Sequence, residues 1–180
     1  MKYRPANGAT VAERVRCHPP SVWSPEPGVP GSHCGSGERP LAIVTSTLSD
    51  AHTWNLVFIE IVLNENGFQT LNLGPCMPID EVLNTCVWHR PDLLVVSTVN
   101  GLGRLDAGAL VRAIRADERV GDLPVVVGGR LGMGGPGEIH HDLRAAGVTE
   151  VFTGRAAIPR FVRYLERVRV DGGRTRAGSR

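Results

Sequence analysis

Five short apolar runs alternate with five longer amphipathic stretches between positions 41 and 168. Leu41–Ser46, Gln69–Leu73, Leu93–Ser97, Val125–Val127 and Glu150–Phe152 are leucine-rich or β-branched and read as strands covered on both faces. Helices are predicted between them. Trp54–Asn66 is apolar nearly all round and stops at Gly67. Ile79, Val82, Leu83, Cys86 and Val87 follow the i, i+3, i+4 spacing, and Pro91 ends that helix. Ala107–Ala116 carries Leu110, Val111 and Ile114 on one stripe, and Glu138–Ala146 ends at Gly147. Ile158–Val168 repeats the pattern with Phe161, Val162, Leu165 and Val168. Strand–helix alternation repeated five times predicts one α/β domain, a doubly wound five-stranded parallel sheet of the flavodoxin-like or Rossmann-like kind.

Composition changes this picture mainly at the ends. Seven prolines and five glycines fall within Met1–Pro40, so residues 1–39 read as a flexible Pro/Gly-rich arm. Cys17-His18 and His33-Cys34 lie inside it but match no common zinc-ligand spacing. Residues 40–168 form the predicted domain, and residues 169–180 read as a basic, frayed tail. A net charge of +2 gives no reason to expect nucleic acid, and no apolar run is long enough to cross a bilayer. Met1–Arg16 has no apolar core of a secretory signal, and the four cysteines form no C-x-x-C pair, so a cytoplasmic protein with reduced thiols is expected.

In an open parallel sheet, ligands bind past the carboxyl ends of the strands, so the loops there decide the chemistry. The first is Thr45-Ser46-Thr47-Leu48-Ser49-Asp50-Ala51-His52, which lacks the glycines of a dinucleotide fingerprint or a phosphate loop. A phospho-acceptor domain needs an aspartate at the end of the third strand, where this chain has Ser97. Asp50 and His52 instead offer an imidazole with a carboxylate two residues earlier, a pairing that fixes the ring tautomer for metal ligation. The glycines gather after strands three, four and five, at Gly101 and Gly103, at Gly128, Gly129 and Gly132, and at Gly154. Backbone without side chains at three strand ends is expected to leave room for a ligand larger than a phosphate.

Asp50-Ala51-His52, Ser97-Thr98-Val99 and Gly128-Gly129, in that order, resemble the motifs of the cobalamin-binding domain family. The resemblance covers about residues 40–168. It implies that His52 is the axial cobalt ligand, with Asp50 on its other ring nitrogen. The displaced nucleotide tail would enter a slot between the sheet and the first helix, where Ser97 would bond the buried benzimidazole nitrogen. Val99 would stand in that motif where the family has leucine. Gly128 and Gly129 would admit the nucleotide loop, and Thr153 and Gly154 would lie near its ribose. The family pattern D-x-H-x-x-G has Asn55 here in place of its glycine, which puts a polar side chain at the slot.

Gly101-Leu102-Gly103-Arg104-Leu105-Asp106 further resembles the extension found in small subunits of the glutamate mutase type. That likeness implies adenosylcobalamin as cofactor, radical rearrangement of an amino acid, and a separate TIM-barrel large subunit that holds the substrate. No activity is expected of the chain alone. Pro75–Ile79, Asn100–Asp106 and Arg130–Gly137 are the segments placed to meet that partner. A corrinoid carrier or sensor without mutase activity is the alternative.

Overall fold

The computed structural model describes residues 39–132 and 134–177. Cys17-His18, His33-Cys34 and the expected arm up to residue 38 lie outside the described residues. Strands β1 (Leu41–Thr45), β2 (Gln69–Asn72), β3 (Leu93–Thr98), β4 (Val125–Gly129) and β5 (Glu150–Phe152) form one sheet in the order β2-β1-β3-β4-β5. All four pairings are parallel. Between and after the strands run α1 (Trp54–Glu65), α2 (Ile79–His89), α3 (Gly103–Ala116), α4 (Pro136–Ala145) and α5 (Ala157–Ala177).

The period-two alternation of the strands sorts the core into two layers. Ile43, Leu94, Val96, Val125 and Val127 face α2, α3 and α4, burying Val82, Cys86, Val111, Ile114 and Leu143. Ala42, Val44, Leu93, Val95 and Val126 face α1 and α5, burying Leu56, Leu63, Phe161 and Leu165. Burial pushes the Cys86 thiol up to about 12, so it serves as an apolar core group. Among the described residues no helix is long and apolar enough to cross a membrane.

Two helices differ from the sequence reading. α3 begins at Gly103 rather than Ala107, so the segment read as an open glycine loop forms its first turn. A Cβ on Gly103 would meet Thr98 Cγ2 at 2.5 Å and the Leu131 Cα at 3.2 Å. This glycine lets a helix end press against β3 and leaves no room for a ligand. α5 continues to Ala177, beyond Val168.

Strand order reverses between β1 and β3. The chain leaves β1 into α1 on one face and leaves β3 into α3 on the other, so the two exits diverge and open a crevice.

Candidate functional site

Asp50 lies across that crevice. Its side chain is fully buried, and both oxygens are used. Oδ2 accepts from Thr98 Oγ1 at 2.6 Å and from the Val99 N–H at 2.7 Å. Oδ1 accepts from the His52 N–H at 3.0 Å and lies 2.6 Å from His52 Nδ1. One carboxylate thereby ties the β1 loop to the end of β3. Burial works to raise the Asp50 pKa, but the bonds from Thr98, the two backbone N–H groups and the ring outweigh it and hold the value at about 2.

That depression has a sign. A carboxyl held below its ordinary 3.8 adds stability above about pH 4 and loses it as the pH falls through 2. Urea unfolding is expected to show about 2 kcal/mol lost between pH 5 and pH 2 on account of Asp50. The loss should be missing from the same comparison in Asp50→Asn, which cannot titrate. Equal acid sensitivity in both proteins would contradict this account of the carboxylate.

His52 projects from the lip of the crevice, its side chain 61% exposed. With Nδ1 on a carboxylate, Nε2 is the nitrogen left to bind outward, and it has no partner among the described residues. Those residues hold no cluster of three or more His, Cys, Asp or Glu that could chelate an ion. A single imidazole suits a metal that brings its other ligands with it.

Beside this lip a cavity of about 370 Å³ opens between α1 and α5 over the ends of β3, β4 and β5. Phe58 and Ile59 form one wall, Ile158 and Phe161 the other, and Phe152 closes the β5 end. The cavity lies against the sheet and the first helix, the region where the sequence reading expects a slot. Asn55, Ser97, Val99, Gly128, Gly129 and Gly154 all line it. Asn55 Nδ2 donates to the Ser97 carbonyl at 3.1 Å and to Ser97 Oγ at 3.0 Å, while Asn55 Oδ1 is buried without a partner. Gly128 sits where a Cβ would come within 3.2 Å of the Phe152 carbonyl, and Gly129 holds φ +116 against Thr98. Arg130 lines the mouth and is exposed.

Four of the expected residues lie outside the lining: Asp50 and His52, described above, and Gly101 and Thr153. Gly101 turns the chain at φ +84 before α3. Thr153 Oγ1 is 3.0 Å from His140 Nε2, which joins β5 to α4. Arg104, placed by the sequence among partner-facing residues, pairs with Glu138 and with Asp142 and so braces α3 against α4. Sequence reasoning missed Thr98. Alternation along β3 turns Ser97 toward the slot with Val95 and turns Thr98 the opposite way with Val96, and that was readable from period two. It also missed the aromatic walls, whose residues read as ordinary helix core.

No protein-family model matches the chain. It is 30% identical over 84 residues to the glutamate mutase sigma subunit of Fusobacterium nucleatum, covering 47% of this chain and 61% of that one. The chain thus spans about three fifths of that relative's length. It is 28% identical over 137 residues to glutamate mutase sigma subunit 1 of Haloarcula marismortui, covering 69% of this chain and 89% of that one. Among solved structures, a cobalamin-binding protein from Desulfitobacterium hafniense superimposes with a TM-score of 0.62 at 18% identity, over 73% of this chain and 60% of that one. A response regulator from Desulfuromonas acetoxidans superimposes with a TM-score of 0.53 at 14% identity, over 71% of this chain and 94% of that one. These superpositions establish the fold alone, and Ser97 stands where a phospho-acceptor aspartate would be needed. The chain is therefore related in sequence to the sigma subunits of glutamate mutase and has the five-stranded parallel fold of a cobalamin-binding domain.

Proposed function

We propose that the chain is the cobalamin-binding small subunit of an adenosylcobalamin-dependent carbon-skeleton mutase of the glutamate mutase type, working with a catalytic large subunit that holds an amino-acid substrate. One observation carries the reading. An exposed imidazole is fixed through Nδ1 by a buried carboxylate, and that carboxylate accepts from the N–H of Val99, which lines an apolar slot.

The residues present fit the group. His52 Nε2 would supply one nitrogen to the metal, and Asp50 would hold the proton on Nδ1 and keep the ring basic. Thr98 and Val99 hold Asp50 in turn. Ser97 and Asn55 supply polar groups of the slot, and Phe58, Phe152 and Phe161 give it apolar walls. Gly128, Gly129 and Gly154 keep its floor free of side chains. When bound, adenosylcobalamin supplies radical chemistry, which the protein orients and shields. In this reading Asp50, His52, Asn55, Ser97, Val99, Gly128, Gly129 and Gly154 contact or position the cofactor. Thr153 and Gly101 act through the loops that carry them.

The test is turnover. The chain, mixed with the large subunit and adenosylcobalamin, is expected to convert glutamate to methylaspartate, with neither protein active alone. Tight corrinoid binding without turnover would favour the carrier or sensor instead.

A further inference from the structure

We propose that Asp106 is a positioning residue for the imidazole of His52: it clasps the β1 loop through Ser49 and so fixes the direction in which Nε2 points. The role rests on the corrinoid reading above for its ligand, and otherwise on bonds made within this chain.

Asp50 is not the only residue of its loop tied across the crevice. The Ser49 hydroxyl donates to Asp106 Oδ2, in the first turn of α3. The same hydroxyl oxygen accepts from Asn100 Nδ2 at 2.5 Å. Asn100 is held in turn, because its Oδ1 accepts from the Leu102 N–H at 2.9 Å. A backbone N–H only donates, so the Asn100 amide has one orientation, with its nitrogen toward Ser49. The bonds therefore run one way, from the Leu102 N–H through Asn100 and Ser49, and end on a carboxylate. A hydroxyl bonded to an ionised acceptor makes one of the stronger and better directed hydrogen bonds.

The second tie changes what the first can do. Held across the crevice by its carboxylate alone, Asp50 would leave the loop free to pivot about that side chain, and His52 lies two residues beyond the pivot. Ser49, fixed to α3, stops the rotation from the other side. The backbone bonds of Asp50 do not replace this tie. Its N–H stays within the loop, on the Thr47 carbonyl, and its carbonyl takes the N–H of Cys76, in the loop after the edge strand β2. Ser49 is exposed, so its bond to Asp106 competes with water and adds little to stability. What the bond fixes is an angle, and a metal ligand depends on the groups that orient it.

The test compares the full chain with Asp106→Ala, Ser49→Ala and Asp106→Asn, which keeps an oxygen to accept from Ser49. Each is expected to melt within about 4 °C of the unaltered chain. The first readout needs no ligand. The ¹⁵N shifts of the His52 ring, assigned by their loss in His52→Ala and read at about pH 9, above the range in which imidazoles titrate, report which nitrogen carries the proton. The unaltered chain and Asp106→Asn should show the proton held on Nδ1, and the two alanine variants a mixture of tautomers. The second readout is cobalamin affinity, followed by corrin absorbance. It should fall about tenfold in the alanine variants, the low end for a group that orients a metal ligand, and stay within about twofold in Asp106→Asn. Ring shifts unmoved in both alanine variants, equal shifts in Asp106→Ala and Asp106→Asn, or cobalamin affinity unchanged in both alanine variants would overturn the role of Asp106 and leave the corrinoid reading standing. Ring shifts that move as expected in a chain that binds no cobalamin would uphold the clasp and overturn the corrinoid reading instead.

Discussion

His52→Ala is expected to weaken corrinoid binding about 100-fold and to leave the fold intact. The side chain is 61% exposed, so its loss opens no core cavity. Asp50 keeps its bonds from Thr98, from the Val99 N–H and from the backbone N–H of residue 52, so the loop stays tied to β3. Only the coordinating nitrogen goes. Losing a group that merely orients a metal ligand commonly costs 10–100-fold in affinity, and losing the ligand itself belongs at or beyond the top of that range. Electron paramagnetic resonance of the protein loaded with cob(II)alamin reads the same event directly. Uniform ¹⁵N labelling should change the axial superhyperfine pattern of the unaltered protein and not that of His52→Ala. A pattern indifferent to the label in both would mean that the cofactor's own base remains on cobalt, and the assignment of His52 would fall.

Gly129→Ala is expected to cost more than about 3 kcal/mol of stability and about 10 °C of melting temperature. An added Cβ would lie 2.1 Å from the Thr98 carbonyl oxygen, at a φ of +116 that an L side chain rarely adopts. That carbonyl also accepts from the Arg130 N–H at 2.9 Å, so the clash pushes apart the paired ends of β3 and β4. Thr98 is the residue whose hydroxyl holds Asp50. Corrinoid binding should therefore weaken along with the fold, although residue 129 touches neither His52 nor Asp50. Gly154→Ala is the control. Its φ is +77, but nothing lies within 4 Å of the added Cβ, so only the backbone strain of about 1–2 kcal/mol remains. Similar melting curves for the two variants would show that the close approach of Gly129 to Thr98 is not what holds these strand ends.

Most of the fold was legible because the signal is redundant. The central strands β1, β3 and β4 had to be apolar on both faces, and each helix had to turn a stripe toward the sheet, whereas the edge strand β2, Gln69–Asn72, is only partly buried. The Asp50–His52 pair was legible because two residues of extended loop bring a carboxylate and a ring together without help from elsewhere. What escaped were contacts that the chain makes across long separations. The reach of Asp50 to Thr98 spans 48 residues, and that of Asn55 to Ser97 spans 42. The start of α3 escaped for a different reason. Gly101 and Gly103 are poor helix formers, and local propensity argues for a loop there. Tight seating of Gly103 on Thr98 and Leu131 outweighs that preference, and only the packed structure shows the seat. The same loop shows why glycine content alone is a weak guide to a ligand. Gly103 serves protein packing, while Gly128 and Gly129 border the cavity.

The double engagement of Asp50 also bears on how binding is divided between entropy and enthalpy. Fixing a single backbone residue costs about 1–2 kcal/mol, and a free loop carrying a metal ligand would meet that cost at the moment of association. Here the residue that orients the imidazole is already anchored at both oxygens by the folded sheet. The ordering is done during folding and drops out of the association step. On the proposed reading, a corrinoid would meet a ring that is already aimed, and its coordination would draw on bond enthalpy without a loop to freeze. A slow step in loading would then belong to the insertion of a bulky group between α1 and α5.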